Sequence, residues 1–296
     1  MKKIISTSLL LFLVSCTSNP KTNFEIDYEE YQLDNGLTVI LHQDDSDPLV
    51  AIATVVHVGS NREKPGRTGF AHFFEHVSFT ASENTPNGAH RLLIPTWGGQ
   101  RNGGTSFDFT YYYGVVPQDA MEKLAWIASD IIGFVINTVD EQTLEGEKQV
   151  VKNEKRQRVD NQPYGHGRGI ILKALYPKGH PYSWSVIGDL EDLQAATVDD
   201  VKEFYKEFYG PSNMTVVIAG DIKIDETKKM VERWFGEIKP SSNVSADPKP
   251  QPVSLSESKN LFHLDKFAKL PELSIVFPTV EEYHPDAYAL SALAAL

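Results

Sequence analysis

His72, Glu75 and His76 are the residues of this chain whose types and spacing could do chemistry. With Phe73 and Phe74 between them they form H-x-x-E-H, the inverse of the zinc-protease signature H-E-x-x-H. On an α-helix, residues i and i+4 lie one above the other on one face, with i+3 beside them. Both imidazoles can then reach one metal ion, and Glu75 can take a proton from a water held there. Zn²⁺ suits imidazole and carboxylate ligands, and a catalytic site has three protein ligands and one open position. The histidine pair supplies two, so a third ligand must come from another element. The chain has nine histidines, and a helical pair can equally be a surface pair or a core histidine bonded to a carbonyl.

Periodicity predicts the elements that must position these residues. Residues 28–33 and 37–42 are strand-like runs around Asp34-Asn35-Gly36, a strong hairpin signal. Residues 50–58 form a β-branched strand, and the metal motif rides on a helix over 69–81. A strand is expected over 105–116, followed by helices over 119–136, 140–159 and 164–175. Thr197 reads as the N-cap of a helix running to 208, followed by a strand over 214–219 and a helix over 226–235. Strands grouped in this way make an α+β layered lobe over residues 24–240, not a doubly wound fold. Pro248, Pro250 and Pro252 stand among serines without periodicity, so residues 241–262 read as a linker. A strand over 273–277 and a helix from 284 then begin a second lobe over 263–296. About thirty residues cannot bury their own apolar face, so the second lobe is expected to be truncated.

The N-terminus carries an address. Met1-Lys2-Lys3 precedes an apolar run over 4–14 that is too short to span a bilayer. Leu13-Val14-Ser15-Cys16 resembles a bacterial lipobox, which predicts a signal peptide over 1–15 and a lipid on Cys16, the single cysteine. Residues 16–23 would then be a tether, and the protein would sit in the bacterial cell envelope on a membrane anchor, with the periplasm-facing outer membrane favoured. An ordinary secretory signal is the alternative. A net charge of −12 argues against nucleic acid as a partner.

The helix over 140–159 holds Glu141, Glu145, Glu147 and Glu154. Glu147 and Glu154 are two turns apart on one face, so one could ligate a metal while the other holds a ligating histidine. Both could also be solvated acids, as in an i,i+4 pair of Glu154 with Arg158. Spacing alone favours the solvated reading.

The order H-x-x-E-H, then E-x-x-x-x-x-x-E on a helix, resembles the pitrilysin/insulinase family of zinc metallopeptidases, which includes mitochondrial processing peptidase. The likeness runs through residues 67–79, Asn102 to Tyr112, His180-Pro181-Tyr182, Gly188 and residues 213–221. The resemblance implies a mostly antiparallel sheet covered by helices. It also implies one Zn²⁺ held by His72, His76 and Glu154, with Glu75 as base and Glu147 bonded to a ligating histidine. Peptides or unfolded segments would be the substrates, with Asn102 and Gly103 on the strand that contacts their backbone. The family commonly has Ala after that Asn, where Gly103 and Gly104 stand here. In the family an Arg and a Tyr from a later lobe or a partner subunit complete the site, and no residue here can be assigned to them. A non-catalytic partner subunit, binding peptides as a scaffold, is the second reading. Among other histidines, His57 is expected in the core or sheet, and His42, His90, His166, His180, His263 and His284 on loops or surfaces. Trp97, Trp126, Trp184 and Trp234 are expected to pack.

Overall fold

The computed structural model describes residues 25–240 and 251–296, so the predicted leader, Cys16, the tether and residues 241–250 of the linker lie outside the described residues. The strands in chain order are β1 (Glu29–Gln32), β2 (Thr38–Gln43), β3 (Leu49–Val56), β4 (Gln100–Thr105), β5 (Thr110–Pro117) and β6 (Met214–Gly220). They form one sheet in the order β1-β2-β6-β3-β5-β4. Only β2 and β6 pair in parallel; the other pairs are antiparallel. The first hairpin turns where Asn-Gly predicts, with Gly36 at φ 93°. Asn35 also donates to the carbonyls of Phe235 (2.8 Å) and Ile238 (3.0 Å), which ties this turn to a distant helix end.

Alternation selects the covered face. Val50, Ile52, Thr54 and Val56 of β3 are buried, as are Met214, Val216 and Ile218 of β6. Helices α1 (Phe70–Ser78), α2 (Ala89–Thr96), α3 (Met121–Gly133), α4 (Glu141–Lys155), α5 (Gly167–Leu175), α6 (Leu190–Ala195), α7 (Val198–Phe208) and α8 (Ile224–Phe235) accompany it. Phe73, Phe74, Leu124, Leu144, Phe204 and Phe235 share one contiguous core with those strand residues. The fold is thus an α+β lobe with a mixed, mostly antiparallel sheet. Thr197 caps α7 through a reciprocal capping box with Asp200, as its sequence predicts.

Four expectations are corrected. The single strand expected over 105–116 is a hairpin of β4 and β5. Ser106 reverses the chain there, its hydroxyl accepting from the amides of Asp108 and Phe109 at 3.2 Å. Helix α4 ends at Lys155 and passes into a π-helical turn over Arg156–Asp160. Residues 273–277 form no strand: they pair with none of the described strands, and Leu273, Ile275 and Phe277 are exposed. Helix α9 (Ala287–Ala294) is the one regular element beyond residue 250 among the described residues. Finally, His90 is buried on α2 and His57 is exposed just past β3, while His180 lies on a loop as expected, though buried there.

Candidate metal centre

Helix α1 is fixed at its first turn by acids from two directions. Glu63 accepts from the backbone amides of Gly69 and Ala71, each at 2.9 Å, and from the Trp184 indole at 3.1 Å. These are the orphan donors that every helix start must satisfy. Burial pushes the Glu63 carboxyl up to about 8, against the pull of those hydrogen bonds. Asp192 of α6 accepts from the Thr68 amide at 3.0 Å and its hydroxyl at 2.6 Å. The chain crosses itself closely here. Gly69 (φ 85°) and Gly188 (φ 71°) are in the left-handed region, and a Cβ on Gly188 would lie 2.4 Å from the Gly69 nitrogen. Phe70, Phe73 and Phe74 anchor α1 in the core, and the Phe74 ring lies 4.2 Å from that of Tyr209.

Helix α4 crosses the opposite side of α1. Asp140 caps it through the Thr143 amide (2.8 Å), and Leu144 and Val151 bury one of its faces. Glu147 and Glu154 are thereby presented to the histidines. Glu154 Oε2 lies 3.1 Å from His76 Nε2 and 3.5 Å from His72 Nε2. Its other oxygen pairs with Arg158 at 2.9 Å. Glu147 Oε2 lies 3.6 Å from His76 Nδ1. Glu75 accepts from the Thr105 hydroxyl at 2.8 Å, which links α1 to the end of β4.

The environment separates the two imidazoles. Burial, with His76 beside it, pulls His72 down to about 4, so its ring is neutral at pH 7. Burial also pulls on His76, but hydrogen bonds to Glu147 and Glu154 outweigh it and raise His76 to about 9. The hydrogen bond from His76 holds Glu154 below the usual carboxylate range. Burial raises Glu75, which the Thr105 hydrogen bond partly offsets.

His72, His76 and Glu154 each offer a ligand atom, all within 4.8 Å of one another. Zn–N and Zn–O bonds of about 2.0–2.1 Å in a tetrahedron place ligand atoms about 3.3 Å apart. The 3.1 and 3.5 Å separations bracket that value. His72 Nδ1 is buried without a partner, so nothing in the described residues offsets its desolvation. The donor set therefore fits Zn²⁺. Asn102 lies apart from it: its side chain is exposed, and its Oδ1 accepts from the Gly103 amide at 3.0 Å. Gly103 shares the helix-packed face of β4, where a Cβ would meet the Phe79 ring at 2.9 Å.

Two family models match the chain: "Insulinase (Peptidase family M16)" over residues 38–181, and "Peptidase M16 inactive domain" over residues 195–296. The chain belongs to the M16 peptidase family. Among relatives of this M16 chain, the zinc protease PqqE of Helicobacter pylori is 28% identical over 300 residues, covering 100% of this chain and 66% of that protein. The uncharacterized zinc protease YmxG of Bacillus subtilis is 28% identical, over 90% of this chain and 62% of that one. The fold agrees. A protease from Helicobacter pylori superposes with a TM-score of 0.70 at 28% identity, over 77% of this chain and 54% of that chain. Pitrilysin gives 0.68 at 26%, over 79% and 25%. The M16 chain thus spans about two thirds of the length of the first two relatives.

Thr105, Glu63 and Asp192 touch this group or its supports without having been singled out by the sequence, whereas Arg158 was already named there as a partner of Glu154. Thr105 stood within the motif as an ordinary strand residue. An acid six residues before a glycine-led helix carries no spacing signal of its own.

Proposed function

We propose that the protein is a zinc-dependent endopeptidase acting on peptides or unfolded polypeptide segments. The observation that carries this is the convergence of His72, His76 and Glu154 from two helices, with Glu75 beside them. In this reading those three residues hold Zn²⁺, and Glu147 fixes the orientation of the His76 ring. Bound there, Zn²⁺ supplies Lewis acidity toward the scissile carbonyl and the attacking water. Glu75 takes the water's proton as it attacks and returns a proton to the leaving amine. Burial raises its affinity for that proton, which suits a base that must also act as acid.

Strand β4 ends the sheet among the described residues, so its outer edge is free to pair with an extended peptide. Asn102 and Gly103 lie on that edge and would meet the substrate backbone. Pairing through backbone groups tolerates many sequences but requires an unfolded segment. Further groups for binding substrate would come from a second lobe or a partner subunit. The lipobox-like Cys16 supports a lipid-anchored location in the cell envelope, facing the periplasm.

Metal analysis of the full-length protein, paired with peptide cleavage with and without chelator, tests the reading. Glu75→Gln should retain zinc and lose cleavage. Near-normal turnover by that variant would refute the role of Glu75, and absence of bound zinc in the wild type would refute the centre.

A further inference from the structure

The parity of β4 places three residues in one row. Arg101, Gly103 and Thr105 pair with Gly114, Tyr112 and Thr110, all buried under the helices, so the row faces the metal helix. Thr105 touches Glu75, and the Phe79 ring occupies the space that a Cβ on Gly103 would need. Arg101 ends the row, with its guanidinium 5.0 Å above the Phe79 ring. It is half-buried, and no carboxylate pairs with it among the described residues. Arg91 of α2 also lacks a carboxylate partner and is near enough to add its charge to that of Arg101.

His90 is near enough to both arginines to feel their charge. It is 3% exposed, both ring nitrogens are buried without a partner, and its ring packs edge-on against Phe79 at 5.3 Å. A cavity of about 20 Å³, lined by Phe79, His90, Arg101 and Asn102 among others, adjoins it. Burial, with Arg101 and Arg91 close by, pulls His90 down to about 4, so the floor of this region is uncharged and the charge above it is positive. Two unpaired guanidiniums beside the substrate-pairing edge stand out in a chain of net charge −12.

We propose that Arg101 and Arg91 form a cationic subsite that selects an acidic side chain in the substrate segment paired along β4. The proposal rests on the peptidase reading and gives it a substrate class. A peptide residue opposite Arg101 has its side chain on the same face of the extended sheet. Arg101 is four residues from Thr105, about 13 Å along the strand. The selected acid therefore lies about four residues from the scissile bond, on one side of it only. Bidentate pairing with a guanidinium favours a carboxylate, and Lys at that position meets two like charges.

The test uses the zinc-loaded full-length protein and quenched fluorescent peptides with Glu, Ala or Lys walked through every position on both sides of the cleaved bond. One position on one side should prefer Glu over Lys by about tenfold or more in kcat/KM. Arg101→Glu with Arg91→Glu should reverse that preference. Arg101→Gln with Arg91→Gln should abolish it while keeping the uncharged bulk, with melting temperature and zinc content verifying the fold. Uniform turnover across the series overturns the subsite and leaves the peptidase standing, as does a Glu preference that survives both variants. If no peptide is cleaved, the peptidase reading fails, and fluorescence anisotropy with Glu75→Gln decides the subsite separately. Arg101-dependent tighter binding of the Glu peptide supports it, and equal or absent binding overturns it.

Discussion

Replacing Glu63 should loosen the metal helix from a distance. Its carboxyl oxygens satisfy the Gly69 and Ala71 amides at the start of α1, and Trp184, which also has the Ser60 carbonyl at 3.0 Å. Glu63→Leu strands the two amides, at about 1–3 kcal/mol for each buried unsatisfied donor, so about 2–6 kcal/mol in all. Against a total stability of about 5–15 kcal/mol that is a large share. For a lobe of this size it corresponds to a fall in Tm of about 5–20 °C. Glu63→Gln keeps one acceptor oxygen and should cost about half as much. The two variants also separate hydrogen bonding from charge. Because the folded carboxyl is raised to about 8 from 4.5, the folded state binds the proton more tightly. Its contribution to stability is complete below pH 4.5 and is lost as pH rises toward 8. Urea melts of wild type and Glu63→Gln across that window, with zinc content measured in parallel, give the assay. A Glu63→Leu protein that melts like wild type would refute the capping role, and a pH slope unchanged in Glu63→Gln would refute the charge argument.

Glu154→Gln should weaken zinc binding more than Glu147→Gln does, and the latter should cost about 10–100-fold in affinity, measured by competition with a chelating dye; equal losses would contradict the ligand assignment. Zinc must displace the proton that Glu147 and Glu154 help to hold on His76, raised to about 9, whereas His72, pulled down to about 4, has none to lose at pH 7. Calorimetry in buffers of different ionisation enthalpy should therefore find close to one proton released from His76 per zinc, with affinity rising about tenfold per pH unit toward pH 9. In the metal-free protein the same raised value means that His76 contributes stability present below pH 6.5 and lost as pH rises through about 9. Thr105→Val removes the hydrogen bond that lowers Glu75, so the acidic limb of the pH–activity profile should move to higher pH; an unmoved limb would argue against Glu75 as the titrating base.

Sequence periodicity located what depends on local spacing. The i, i+3, i+4 pattern put His72, Glu75 and His76 on one face of α1, and the seven-residue interval put Glu147 and Glu154 on one face of α4. Strand β4 was harder to see. Its Gln100 to Thr105 stretch holds two glycines and no apolar alternation, and it becomes a strand because β5 supplies the ladder. Burial of His90 follows from packing against Phe79, and the His180 ring reaches the carbonyl of Gln251 at 3.0 Å; no local pattern encodes either contact. Residues 273–277 show the converse: a β-prone run stays irregular when it docks on none of the described strands. The choice of Glu154 as the proposed third ligand needed the family resemblance, because helix spacing alone favours a solvated Glu154–Arg158 pair. In the structure Glu154 does both, with one oxygen toward the histidines and the other toward Arg158.

A single loop explains why Glu75 and Thr105, from elements far apart in sequence, hold a 2.8 Å contact. The segment from Ser60 to Glu63 grips both partners. Its first part takes the tip of the β4–β5 hairpin: the Ser60 amide donates to the Ser106 carbonyl at 3.2 Å, and the Asn61 amide to the Phe107 carbonyl at 2.8 Å. Asn61 also donates its side-chain amide to Asp108 at 2.8 Å, and the Tyr182 hydroxyl holds the same carboxylate at 2.5 Å. Its last residue, Glu63, takes the start of α1. A one-residue slip of β4 would send Thr105 to the opposite face of the sheet and remove it from Glu75. The hairpin tip is where such a slip would begin, and it is the part most heavily bonded. Asp108→Ala should therefore disturb catalysis while leaving the zinc donors untouched, lowering kcat with little change in zinc affinity. A parallel loss of zinc would mean that the loop secures α1 and β4 as one unit instead of two.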